Sequence, residues 1–356
     1  MKRKKIQELG IANNFDGIVV TKNIKSDSLM EWGNVYFLHA VTTSPNSQRE
    51  QKRDLQLFIS FMDKEDGSLE RIRWTPRLSK SFVNYLQKEM KGNSRRWSDA
   101  TVNRIVAHIK TFSKWINSLA PFPLGNPMLK IKMISVTNRL EVDRALTESE
   151  RRRLLDTCDQ LLETGGRSKD RNLHKGVIGD RPRRKGYRPW RNRAIIYTLI
   201  ETGMRRSAIC EINLKDINFK KKYIKTIEKG GFQETYAISK EGIEAIQDYI
   251  VNEREEDQVY WKKTTLFLSP GIGNIRGDGQ LKPLSVSKIW KEICDEADIE
   301  GKTPHSARHA MGKHIMKKTG GNVAAVQRQL GHKNAAYSLQ YSRIGDEELR
   351  LVLDDR

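Results

Sequence analysis

Cysteine is scarce in this chain of 356 residues. The three present, Cys158, Cys210 and Cys294, lie far apart and in no CxxC spacing. That pattern excludes a disulfide framework or a cysteine zinc site and fits a reducing compartment. No apolar run approaches the roughly 20 residues a membrane-spanning helix needs, and no lipidation motif is visible, so no membrane partner is expected. The opening MKRKKIQELG is charged like the start of a signal peptide but lacks the apolar stretch that should follow, and the expected location is cytoplasmic. Internal repeats and low-complexity tracts are also missing. Neither a P-loop with its Gly-Lys-Ser/Thr nor a set of carboxylates suited to a two-metal site can be found, so neither a cofactor nor a metal is expected.

Positive charge is what the chain has in excess. It carries 65 Lys and Arg against 44 Asp and Glu, a formal net charge of +21. Such a balance makes a polyanion the natural partner, with nucleic acid first among candidates.

Hydrophobic spacing divides the chain. Residues 1–45 are an extension without an assigned fold, with an apolar patch from Val35 to Val41. Residues 46–122 read as a helical domain. Leu55, Phe58, Ile59 and Met62 recur at helical spacing, as do Leu78, Phe82, Tyr85, Leu86 and Met90. A third helix, opened by a Ser98-Asp cap, carries Val102, Ile105, Val106, Ile109, Phe112 and Trp115 on one face. Pro121, Pro123 and Pro127 break the pattern, so residues 123–143 read as a linker.

The second domain spans residues 144–356. Thr147 is placed to cap a helix running to about Leu162. Residues 164–193 form a basic insertion, read as a loop that grips phosphates; a solvated loop is the plainer alternative. Two alternating runs, Ile224 to Ile227 and Thr235 to Ile238, flank Lys229-Gly230-Gly231 and predict a hairpin. Helices are expected at Glu241 to Arg254, Val286 to Asp298, Ser306 to Lys317, Val323 to Leu330 and Ala336 to about Ser342. The fold class is therefore mainly α with a small β-hairpin or sheet.

Phosphodiester exchange without metal needs a nucleophile, cationic donors for the non-bridging oxygens and an acid for the leaving oxygen. The C-terminal third is rich in such groups. His305 and Arg308, three apart at a helix start, share one face near free amide donors. Gly331 suits a helix C-cap that presents His332, and Tyr341 stands nine positions beyond.

HSARH followed by LGHKNAAYSLQY resembles the paired C-terminal motifs of the tyrosine recombinase (phage integrase) family. Upstream, Thr202-Gly203-Met204-Arg205 resembles the segment bearing that family's first catalytic arginine, and Lys229 stands in the hairpin where the family carries its lysine. The resemblance spans roughly Arg144 to Arg343.

It implies a C-shaped clamp: a helical core-binding domain joined to a mixed α/β catalytic domain. Arg205 and Arg308 would hold the scissile phosphate, and His305 and His332 would add donors and assist proton transfer. Lys229 would protonate the departing 5′ oxygen, while Tyr341 would attack phosphorus and form a 3′-phosphotyrosyl intermediate. The family's spacing, carried over by the resemblance, selects Tyr341 over Tyr337, and Arg206, His309 and His314 are left to structure or phosphate contact.

The resemblance also implies double-stranded DNA as partner, nucleoid association when bound, a homotetramer on DNA, and accessory DNA-bending or directionality proteins. The family often has a carboxylate three residues after the first arginine, a position held here by Ala208. The tail after residue 342 would be a short amphipathic helix suited to docking on a neighbouring protomer. An integrase or transposase of a mobile element is the expected role. A type IB topoisomerase-like enzyme and a non-catalytic DNA-binding regulator are the alternatives.

Overall fold

A computed structural model describes residue 24 and residues 26–41, 44–136, 144–167, 183–228, 231–271, 277–342 and 353–354. The chain divides into two compact units, Met1–Thr137 and Asn138–Arg356. Among the described residues no helix is long and apolar enough to cross a membrane, and no cluster of three or more His, Cys, Asp or Glu could hold a metal ion.

In the first unit, α1 (Leu29–His39), α2 (Pro45–Asp66), α3 (Pro76–Lys88) and α4 (Asp99–Leu119) surround one core, and a short antiparallel pair, β1 (Met90–Lys91) with β2 (Ser94–Arg95), joins α3 to α4. The starts follow from capping chemistry: the Thr75 and Ser98 side chains accept backbone amides of α3 and α4, and Pro occupies the first turn of α2 and α3. Phe58, Phe82, Phe112 and Trp74 are nearly or wholly buried and meet in tilted, edge-on and stacked ring contacts.

Two boundaries read from sequence are corrected here. Leu29, Trp32 and Tyr36 of α1 are buried in this core, so part of the 1–45 extension belongs to the helical unit. Phe122 and Met128 are buried there too, and Asn103 exchanges hydrogen bonds with the backbone of Ile134 at 2.9 and 2.8 Å. The packed chain thus runs well into the stretch read as linker. Prolines stop helices but do not stop side chains from entering a core.

The second unit begins with α5 (Glu148–Thr164), whose Thr147 and Glu150 form a reciprocal capping box. Next come α6 (Pro189–Thr202), the short α7 (Arg206–Ile209), strands β3 (Ile217–Asn218), β4 (Tyr223–Glu228) and β5 (Phe232–Ala237), and α8 (Lys240–Tyr249). The sheet is antiparallel in the order β3-β4-β5, with Ile224 opposite Tyr236 and Glu228 opposite Phe232. The predicted hairpin is present, and β3 adds a two-residue edge too short to show a period.

Helix α8 continues through a π-helical turn, Ile250–Arg254, where Glu253 accepts the Arg191 amide at 2.8 Å and Arg254 donates to the Leu266 and Thr265 carbonyls. Then follow α9 (Glu255–Gln258), α10 (Pro283–Glu296), α11 (Pro304–Lys318), α12 (Val323–Leu330) and α13 (Ala336–Leu339), the last passing into a 3-10 turn, Gln340–Ser342. Burying α6 on nearly all sides makes it the spine of the unit; Ala194, Ile195, Ile196 and Leu199 are fully buried.

Residues 168–182 of the basic insertion lie outside the described residues, as does the tail at 343–352. The described end of the insertion differs from the loop reading. Pro189 starts α6 rather than breaking it, because proline is well suited to a first helical turn. Arg188 pairs with Asp257 through two contacts of 2.8 and 2.9 Å, Arg193 with Asp159 and Asp248, and Arg191 donates to the Leu268 carbonyl. These three cations are used inside the protein.

Candidate active site

Gly203 organises the first part of the site. It ends α6 at φ +67°, and a Cβ there would come within 2.9 Å of Leu330 and Met311, so glycine alone fits both the backbone and the space. The turn places Arg205 at the N-cap of α7. It also turns the Gly203 carbonyl toward Arg308, which donates to it from Nη1 at 2.9 Å and from Nη2 to the Leu330 carbonyl. Arg308 is 2% exposed, so its guanidinium is fixed by two backbone carbonyls on either side of the site.

Gln329 ties the same parts together. Its amide donates to the Thr202 and Ala237 carbonyls at 3.0 and 2.9 Å, while its oxygen accepts the Ala237 amide. The end of α6, strand β5 and helix α12 are thereby held in one arrangement.

The pocket around Arg308 is electrostatically tense. Burial pulls its pKa down, repulsion from Arg205 adds to this, and Tyr236 and Tyr341 oppose it. Two guanidinium groups close together, one of them buried, constitute a site whose energy falls when an anion enters.

Arg205 donates from Nη1 to Glu228 Oε2 at 2.9 Å, and the other oxygen of that carboxylate accepts the Tyr236 hydroxyl. Burial first, then the Glu228 carboxylate, raises the pKa of Tyr236. The carboxylate beside the arginine therefore comes from β4, not from the position of Ala208.

Helix α11 contributes His305, Arg308 and His309. Its capping box, Thr303 with Ser306, fixes where the helix starts. His305 is exposed and its ring meets that of His309 edge-on, with centroids 4.5 Å apart. His309 is 3% exposed, and its Nδ1 lies 3.0 Å from the Tyr341 hydroxyl. Burial first, then His305, Arg308 and Lys313, push the His309 imidazole down to about 4, which keeps it neutral at physiological pH.

Gly331 caps α12 at φ +60° and presents His332, whose amide donates to the Gln327 carbonyl. His332 Nδ1 lies 2.8 Å from Ser338 Oγ, and its ring is parallel to that of Tyr341 at a centroid separation of 6.2 Å. Burial, with Arg308 and Arg205 next, holds His332 near 4 as well.

Tyr341 itself is 5% exposed, packed with Met316, Val326 and Leu330. Gly312 makes the room: a Cβ on that glycine would approach the tyrosine ring to 2.7 Å. Tyr337, by contrast, is 64% exposed.

Arg205, His305, Arg308, His332 and Tyr341 are thus brought to one place. Lys229 lies outside the described residues; Glu228, immediately before it, faces Arg205. Sequence reasoning assigned His309 no chemical task, although its Nδ1 lies at hydrogen-bond distance from the Tyr341 hydroxyl. Its position directly after Arg308 was the available signal. Arg206 makes a structural contact, donating to Ser287 at 2.6 Å.

Residues 182–348 match the model described as "Phage integrase family". The chain is similar to "Tyrosine recombinase XerC" of Halalkalibacterium halodurans, with 26% identity over 318 residues, covering 87% of this chain and 90% of the relative. It is similar as well to "Tyrosine recombinase XerS" of Streptococcus thermophilus, with 24% identity over 353 residues, 92% of this chain and 96% of the relative.

Among solved structures, the fold is similar to that of XerH site-specific recombinase bound to a palindromic difH substrate in a post-cleavage complex. That match has a TM-score of 0.64 and 17% identity, and covers 92% of this chain and 84% of that one. The Tn1549 transposon integrase in complex with a circular intermediate DNA matches with a TM-score of 0.63 and 16% identity, covering 93% and 100%.

Proposed function

The chain belongs to the phage integrase family of tyrosine recombinases, and we propose that it is a site-specific DNA recombinase that cleaves and rejoins strands through Tyr341. One observation carries this reading: a buried phenol, two close guanidinium groups and two neutral imidazoles meet at a surface prepared for an anion.

In this reading Arg205 and Arg308 hold the two non-bridging oxygens of the scissile phosphate. A fork of fixed donors suits charge that builds on those oxygens in the transition state. The Tyr341 oxygen attacks phosphorus, the bond to the 5′ oxygen breaks, and a 3′-phosphotyrosyl diester remains. The phenol proton passes to His309 Nδ1, 3.0 Å away; burial keeps that imidazole neutral beforehand, and the anionic phosphate entering the site stabilises the imidazolium that forms. Lys229 supplies the proton to the departing 5′ oxygen. His305 and His332 complete the donors around the phosphate.

Since one diester is exchanged for another, the bond energy is retained and rejoining needs no ATP. Double-stranded DNA is the partner, and the +21 net charge supports affinity that falls as salt rises. Exchange between two duplexes needs two cuts on each, which calls for a homotetramer on DNA; an integrase or transposase of a mobile element is the role we assign.

The test is a nicked suicide duplex carrying the target site. Wild type and Tyr337→Phe should form a covalent protein–DNA adduct that Tyr341→Phe does not. An equal adduct from Tyr341→Phe refutes the assignment. Strand transfer between two duplexes then separates a recombinase from a topoisomerase that only relaxes DNA.

A further inference from the structure

We infer that Glu228 is the positioning residue for Arg205, and that it links the aim of this guanidinium to the β4-β5 pair. The inference rests on the recombinase reading above and names a residue that serves it.

The carboxylate is 6% exposed at the last position of β4, and both of its oxygens are engaged. Oε2 accepts Arg205 Nη1 at 2.9 Å, and Oε1 accepts the hydroxyl of Tyr236, itself 1% exposed. Arg205 is the less buried partner, its side chain 36% exposed, so the rigid member of the pair is the carboxylate and the long arginine takes its direction from it. Tyr236 belongs to β5, the other strand of the hairpin, so both strands contribute to holding that direction.

The helix that carries Arg205 offers no alternative in the same place. Ala208 has no side-chain acceptor, and its carbonyl is occupied by the Thr226 hydroxyl of β4 at 2.9 Å. That second tie fastens α7 to the strand two residues before Glu228. Displacing the hairpin would therefore turn the guanidinium.

A positioned donor affects the chemical step more than ground-state DNA binding, because its geometry matters most where charge develops. Glu228→Gln keeps the shape and removes the charge. We expect single-turnover cleavage at saturating suicide substrate to fall by about 10- to 100-fold, as for a small misplacement of a catalytic group. The dissociation constant for DNA should stay within about threefold, since phosphate contacts elsewhere carry most affinity.

Glu228→Asp should recover part of the rate, and Tyr236→Phe, which leaves the carboxylate charged but loosens it, should lie between. These two variants keep the test open if Glu228→Gln does not fold. A substrate with a methyl group in place of one non-bridging oxygen needs less cationic help, so the gap between wild type and Glu228→Gln should narrow on it. Cleavage by Glu228→Gln within about threefold of wild type, or rate and affinity falling together in all three variants, overturns the inference. A wild-type chain that forms no Tyr341-dependent adduct overturns the recombinase reading instead.

Discussion

Gly312→Ala separates two opposed expectations. In an ordinary helix interior, replacing glycine by alanine stabilises by about 1 kcal/mol, since glycine loses more backbone freedom on folding. Gly312 lies in the interior of α11, facing Tyr341. The new methyl would stand 2.7 Å from Cε1 and Cζ of the ring and 2.9 Å from Cδ1. Opening that approach to the 3.4 Å of ordinary contact moves the ring by about 0.7 Å, and inserting bulk into a packed site costs about 1–3 kcal/mol. The Tyr341 hydroxyl, 3.0 Å from His309, would move out of good geometry, a further loss of about 1 kcal/mol.

These terms sum to a variant between about 1 and about 3 kcal/mol less stable. Activity should respond more sharply, because a displacement approaching 1 Å at a nucleophile can cost about 100-fold in rate. Urea denaturation reads the stability, and single-turnover adduct formation on a suicide duplex reads the rate. A variant about 1 kcal/mol more stable than wild type and equally fast would refute the argument that Gly312 exists to seat the Tyr341 ring.

Two further outcomes follow from the same site. His309 and His332 sit near 4 in the folded chain against 6.5 for an unperturbed imidazole, so between those values the unfolded chain binds more protons. Folding stability should therefore be fully present above pH 6.5 and decline as pH falls toward 4, with a shallower decline in His309→Gln; an unchanged stability from pH 7 to pH 4.5 in urea titrations would contradict this. Arg308→Lys keeps the charge but cannot reach both the Gly203 and Leu330 carbonyls, and should cost about 1–3 kcal/mol of stability together with cleavage activity. Full stability in that variant would show that the fork is not needed.

Local chemistry made much of this protein legible in advance. The periods of α2, α3 and α4, the Ser98 and Thr147 caps, the glycine that ends α12 and the β4-β5 hairpin depend on residues a few positions apart, and all of them are present. The family resemblance likewise named Arg205, Lys229, His305, Arg308, His332 and Tyr341 as candidates before any geometry was known.

Tertiary structure alone decided what depends on distant pairs. Glu228 reaches Arg205 across 23 positions and His309 reaches Tyr341 across 32. Helix α1 joined the first core through an antiparallel bridge of Ser28 with Glu70, and Met128 filled that core from beyond three prolines. No period or cap encodes such meetings, since they arise only when the packing of separate elements brings the partners within contact distance. Sequence thus named the candidate groups, while packing determined which carboxylate meets the arginine and which imidazole lies beside Tyr341.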